Sequence, residues 1–507
     1  MNLSIKKSAY FALALALAFS LNVEAKKDKK SVRKPSSIER PPQFVLLAFD
    51  GSKDTTFWNE SVQFADTVKT FSDNPDKNQN LMRFTYFINP TYYTDITKKA
   101  NYTTPGLGKS VSCIGWSESK EILPLRVDRT NAAFLKGHEI GSHANSHCDA
   151  SGKDKDNPLY GHAWSEQDWT SEFDQFNKLL FGVYSLNELG TPKNFPPTGL
   201  AFSQNDIVGF RAPLLETTDG LWPTLQKFRF RYDTSKTSSP TYWPQKQVWG
   251  GWNFPLASIK IAGTTRTTLS MDYNWLYFHS GGASKPNLTP EEREVYKNQM
   301  LDSYKYYFKI NYYGGRAPIN IGHHFSKWNG GAYWQAMQEF AQFVCAKKEV
   351  RCVTYSEYAT WLDHVDDETM KLYRAGQFEK LPDEGLIKDI AVPLLAEVRI
   401  DADQKGFEAM IEANDINKAR ITGATVQLQI NFIPEIENQV SRENLITRFG
   451  KGSDLILRAA LLNKKGTLIN WSTYKIKNLG QPNESFSEPL ENLTNAPETA
   501  DAHNSHE

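Results

Sequence analysis

Phe44-Val45-Leu46-Leu47-Ala48-Phe49 is an unbroken apolar run of strand length, and it ends in an acid, Asp50. A strand that is apolar on both faces must be covered on both, the condition of a parallel sheet wrapped by helices. Met82 to Ile88 (MRFTYFI) is a second strand candidate. Between and after them lie helical patterns. Trp169, Phe173, Phe176 and Leu180 recur at three- and four-residue steps behind Ser165-Glu-Gln-Asp168, a capping-box signature. Gly331 to Val344 and the stretch from Tyr355 repeat the pattern, with strand candidates at Phe228 to Tyr232, Ile319 to Ile321 and Cys352 to Thr354. Alternating strands and helices predict an α/β body built on a parallel sheet or barrel.

The ends differ from this body. Lys6 and Lys7 precede an apolar run from Ala9 to Val23, shorter than a membrane span requires, and Val23-Glu24-Ala25 offers a cleavage site. This predicts a secretory signal over 1–25, cleavage near Ala25, and a secreted or periplasmic protein with no stable membrane span. A basic leader is expected over 26–40, the catalytic body over 41–365, and a charged linker over 366–389. The segment 390–478 reads as short β-like runs separated by turn-sized gaps, expected to form a small all-β sandwich with an accessory or carbohydrate-binding role. Residues 479–507 are rich in Asn, Glu, Pro and Ser and are expected to be disordered. Export places the four cysteines in an oxidising compartment, where Cys345 pairs with Cys352 and Cys113 with Cys148. The rival reading makes Cys148, next to His147, a metal ligand.

Lys plus Arg and Asp plus Glu both number 58, so the chain has no net charge and is unsuited to neutralising nucleic-acid phosphates. Aromatic residues make up 13% of the chain, enough to suggest sugar stacking as well as packing. Trp58, Trp116, Trp243, Trp249, Trp252, Trp275, Trp328 and Trp334, with Tyr242, are the set that could line a glycan groove.

The residues that carry chemistry fall at predicted strand ends, where α/β enzymes place reacting groups. Asp50 ends the first strand. His143 and His147 stand four apart in Gly141-Ser-His-Ala-Asn-Ser-His147, a spacing at which two imidazoles can converge on zinc. Gly209-Phe-Arg211-Ala-Pro213, Asp233 with Trp243 ten residues on, and Ile321-Gly-His323-His324 follow in order.

This ordered set resembles the polysaccharide deacetylase family (NodB-homology domain, carbohydrate esterase family four) over roughly residues 43–360. The resemblance implies a distorted (β/α) barrel, followed here by the β-sandwich module. It implies metal-dependent removal of N-acetyl groups from a polysaccharide such as peptidoglycan or chitin. A catalytically impaired glycan-binding protein and an O-acetyl esterase are the alternatives. The cofactor implied is a divalent metal, zinc foremost, with cobalt, nickel or manganese possible. His143, His147 and Asp50 are the implied metal ligands and Asp50 the base. His323 is the implied acid, with His324 as its alternative, Asp233 its orienting partner, and Arg211 the clamp on the catalytic carboxylate. The match departs at one position. The family carries two acids where this chain has Asp50-Gly51, so Asp54, Cys148 and Asp149 are the nearby donors that could replace the missing one. The sequence does not set the oligomeric state.

Overall fold

A computed structural model describes residues 38–71, 80–192, 194–264, 266–390, 396–400, 405–411, 419–420, 423–431 and 433–487. The expected signal and most of the basic leader lie outside the described residues.

The first body is an incomplete (β/α) barrel. Its parallel strands β1 (Gln43–Asp50), β2 (Phe84–Ile88), β3 (Glu139–Ser142), β4 (Gly209–Phe210) and β5 (Tyr232–Asp233) pair in sequence order. Ile319–His324 closes on the other side of β1 in parallel register, and Val350–Cys352 pairs with the first residues of β1. Past β5 the sheet continues through Trp252–Asn253 and the antiparallel Gln245–Lys246. Helices α1 (Thr55–Ala65), α2 (Leu123–Leu135) and α3 (Glu166–Phe181) are among those covering the outside. The capping box of α3 is present, with Ser165 and Asp168 exchanging hydrogen bonds as the sequence predicts.

β1 shows why both faces are apolar. Val45, Leu47 and Phe49 pack with Phe57, Trp58 and Val62 of α1 and Val127 of α2, in the outer helix-covered core. Phe44, Leu46 and Ala48 pack with Phe87, Tyr232, Phe254, Tyr355 and Tyr358 inside the curl. Side chains alternate along a strand, so Asp50 continues the interior row. That parity decides which groups meet in the site.

Two expected boundaries shift. The segment 366–389 holds the helix Asp367–Arg374, whose Tyr373 stacks against Trp243 and Trp361, so the barrel body extends beyond 365. Residues past 478 also contribute: Leu479 is fully buried and Ser485–Ser487 pairs with Lys475–Lys477. The β module is two antiparallel sheets, one of three strands and one of five, around a shared core that includes Val398, Phe407, Leu428 and Leu457. Cys113–Cys148 and Cys345–Cys352 are bridged, the pairing expected from the sequence. Among the described residues no helix is long and apolar enough to cross a membrane.

His138 illustrates the buried polar chemistry of the outer core. Its Nδ1 accepts the backbone N–H of Phe84, and burial pushes its pKa down to about 4. Folding therefore disfavours its proton, so stability falls as the pH drops from about 6.5 toward about 4. His138→Gln is expected to remove up to about 1.4 kcal/mol per pH unit from that slope, read as urea midpoints at about pH 5 and about pH 7. An unchanged slope would contradict a buried neutral imidazole.

Candidate active site

Asp50 and Arg211 form the centre. Arg211 Nη1 donates to Asp50 Oδ1 at 2.8 Å, and the two side chains are 0% and 1% exposed. The other end of the guanidinium donates to Thr234 Oγ1 at 3.3 Å and Tyr355 Oη at 3.2 Å, and its face lies over Phe87. Burial opposes the charge of Arg211, but Asp50 and Tyr355 hold its pKa above the ordinary value. Gly322 makes room for this arrangement. A Cβ there would stand 3.0 Å from Arg211 Nη1 and 2.7 Å from Met271 Cε.

The backbone of Arg211 ties the histidine loop to the same point. Its N–H continues the ladder to Ser142 O, and its carbonyl receives the Nδ1–H of His143 at 2.8 Å. A carbonyl can only accept, so the proton is on Nδ1 and the ring's lone pair is on Nε2. His143 and His147 are both buried, with ring centroids 4.9 Å apart. The loop between them is strained. Ala144 and His147 both take positive φ, 54° and 55°. Glu172 of α3 secures it: Oε1 accepts Asn145 N–H at 2.7 Å, and Oε2 accepts Tyr102 Oη at 2.8 Å. Thr91 and Asn89 bind the loop carbonyls of Asn145 and His143, and the Cys113–Cys148 bridge closes its end.

The late strand holds the third group. In register with β1, Phe49 lies beside His323 and Asp50 beside His324. His323 therefore faces the helix layer. Its Nε2 is 3.2 Å from Tyr304 Oη, and burial, with His324 nearby, pushes its pKa down to about 4. His324 shares the interior face with Asp50. Its Nδ1 donates to Asp272 Oδ1 at 2.6 Å and its backbone N–H to Asp272 Oδ2 at 2.9 Å. Burial works against the charge of Asp272, yet His324 and His323 beside it hold its pKa below the usual carboxylate range. With Nδ1 donating to Asp272, Nε2 is the nitrogen of His324 through which a second proton is taken up or released, in an imidazolium that the carboxylate stabilises.

The expected pairing of Asp233 with His323 does not form. Asp233 lies in register with Phe210 and binds Ser235, at 2.5 Å from Oγ and 3.1 Å from N, and burial pushes its pKa up to about 6. It is a turn acid, and Asp272 stands where an orienting carboxylate was expected. Asp272 precedes Trp275 by three residues, so an acid followed by a tryptophan also occurs there in the sequence. Glu172 had a signal too, as an acid inside the apolar stripe of α3.

The tryptophans expected to line a groove are packing residues, none more than 9% exposed. Trp328 of that set also packs against the site, its ring 5.2 Å from that of His324.

A resident metal finds an incomplete donor set. Asp54 caps α1 through Thr56 and Phe57 N–H, Cys148 is in a disulfide, and Asp149 accepts from Ser151, Lys153 and Asp154 N–H. Gly51 has no side chain. Its φ of 85° disfavours any other residue, although nothing stands within 4 Å of a Cβ there. Among the described residues no three His, Cys, Asp or Glu come together to hold an ion, so His143, His147 and Asp50 do not form the expected trio. Catalytic zinc takes three protein ligands. His143 and His147 supply two imidazoles toward such a set.

No family model and no curated protein matches the chain. The solved structures it resembles include a candidate polysaccharide deacetylase from Mycobacterium smegmatis, at 14% identity and TM-score 0.37, covering 69% of this chain and 96% of that one. The chitin deacetylase of Colletotrichum lindemuthianum matches at 13% identity and TM-score 0.30, covering 62% and 88%. A pseudoenzyme of carbohydrate esterase family four from Bacillus anthracis matches at 8% and 0.30, covering 63% and 66%. Likeness this distant carries no argument about chemistry, which rests on the side chains.

Removing one partner of a fully buried ion pair leaves the other charge stranded. Arg211→Met is expected to cost about 3–5 kcal/mol, and Asp50→Leu added to it to recover most of the loss, read by denaturant melts. A single variant within about 1 kcal/mol of the parent would contradict the pair's central place.

Proposed function

We propose that this chain is an exported hydrolase of the polysaccharide deacetylase kind, removing acetyl groups from an N-acetylated glycan such as peptidoglycan or chitin. One observation carries the reading. Asp50 and His324 stand side by side on adjacent parallel strands, on the same interior face, each fixed by its own buried partner of opposite charge type. A carboxylate and an imidazole so placed divide the proton work of amide hydrolysis. Asp50 takes a proton from water as its oxygen bonds to the acetyl carbon. His324, as the imidazolium paired with Asp272, then delivers its Nε2 proton to the departing nitrogen as the C–N bond breaks; acetic acid and a free amine leave, and the proton held by Asp50 passes through solvent to reprotonate His324 Nε2. Arg211 orients Asp50, and Asp272 holds the Nδ1–H of His324 and so directs Nε2 as the nitrogen that exchanges protons. Export is supported by the apolar run behind Lys6 and Lys7 and by two cystines.

A second reading, glycan binding without turnover, is favoured by Gly51 and by the two-donor histidine loop. Acetate release from N-acetylglucosamine oligomers separates the two. The wild type is expected to release acetate, with Asp50→Asn and His324→Gln each at least about 100-fold slower. Retention of the glycan with no acetate would establish the second reading, and unchanged rates in both variants would end the first.

The metal expected from the sequence is decided by elemental analysis. Two imidazole donors predict clearly less than one zinc per chain after dialysis. A full equivalent would show that another donor joins His143 and His147.

A further inference from the structure

The residues that deliver Asp272 to His324 are anchored on the C-terminal module. Arg266 precedes the strand Thr267–Leu269, and the helix Asp272–Ser280 follows it. The guanidinium of Arg266 lies 3.6 Å from the ring centroid of Trp471 in the module, and its Nη2 donates to the Trp471 carbonyl at 3.3 Å. Phe278, near the end of the helix, stacks on the same indole with centroids 5.0 Å apart and planes 28° apart. Arg458, on the neighbouring strand of the module, lies over that ring as well, at 4.4 Å. Arg266 to Phe278 is thus an arch with both feet on one side chain. Between the feet, Met271 bridges Gly322 of the late strand and Asp272 holds His324.

Trp471 is the only tryptophan after Trp361, and it lies in this seam instead of being displayed to a sugar. We propose that Trp471 is a positioning residue for the Asp272–His324 pair, so that the β module completes the barrel's site instead of serving as a separate glycan-binding arm. The inference rests on the reading of His324 as proton donor. The physical basis is geometric. A bond of 2.6 Å between two buried groups tolerates little displacement, and a shift of about 1 Å at a reacting group can cost on the order of a hundredfold in rate. An arch fixed at both ends limits such shifts, whereas one released at the helix end lets Asp272 move with its helix.

The test uses the full-length protein and two readouts. The first is the downfield proton resonance of the His324 Nδ1–H···Asp272 bond, assigned by its loss in Asp272→Asn. The second is the split between kcat and KM on N-acetylglucosamine oligomers. Trp471→Ala, and Phe278→Ala from the barrel side, are expected to broaden or abolish the resonance and to lower kcat about tenfold at unchanged KM. Trp471→Phe, which keeps a ring for Phe278, is expected to restore both. A purely structural anchor would lower the melting temperature while leaving resonance and kcat intact, and that result would overturn the proposal. So would a wild type without the resonance. Should the wild type release no acetate, the proposed hydrolysis fails, and the resonance still decides whether Trp471 positions the pair.

Discussion

The Asp50–Arg211 ion pair is the constraint around which the site is arranged. Both side chains are out of water, and isolated buried charges are costly, so each needs the other. The pair also joins parts of the chain that are distant in sequence. The side chain of Arg211 holds the end of β1, and its carbonyl sets the tautomer of His143. Tyr355 and Thr234 accept from its Nη2, and Gly322 leaves the space it fills. A side chain at Gly322 would push against the guanidinium and so against the acid.

Around this centre the protein repeats one device, a buried imidazole locked by a buried partner. His324 has Asp272, and the His143–His147 loop has Glu172 and a disulfide. Buried polar groups are expensive unless satisfied, and here the satisfying bonds also fix orientation. The donors that would complete a metal site are committed elsewhere: one caps a helix, one forms a cystine, one ties a loop. The positive φ of Gly51 opposes restoring the missing acid by simple substitution.

Much of this was legible in the sequence. The doubly apolar run before Asp50 announced a parallel strand with an acid at its end, and Arg211, His143 and His147 were found by their order and spacing. The disulfide pairing followed from the cysteine spacing together with the expectation of export. What escaped notice depended on parity and register. His323 and His324 are adjacent, and a shift of one residue exchanges the faces of a strand. Only pairing with β1 shows that His324 is the neighbour of Asp50. Asp233 and Asp272 are both acids ahead of a tryptophan, and composition cannot tell a turn acid from one facing an imidazole. The aromatic excess was ambiguous in the same way, and burial assigns the rings to packing.

In the proposed hydrolysis Asp50 and His324 address the same substrate atoms from neighbouring strands. A crystal structure with an N-acetylglucosamine oligomer bound tests it most directly. The acetamide group is expected between the Asp50 carboxylate and His324 Nε2, within hydrogen-bond reach of both. An oligomer seated away from these two residues, on the β module or elsewhere on the barrel, would contradict it.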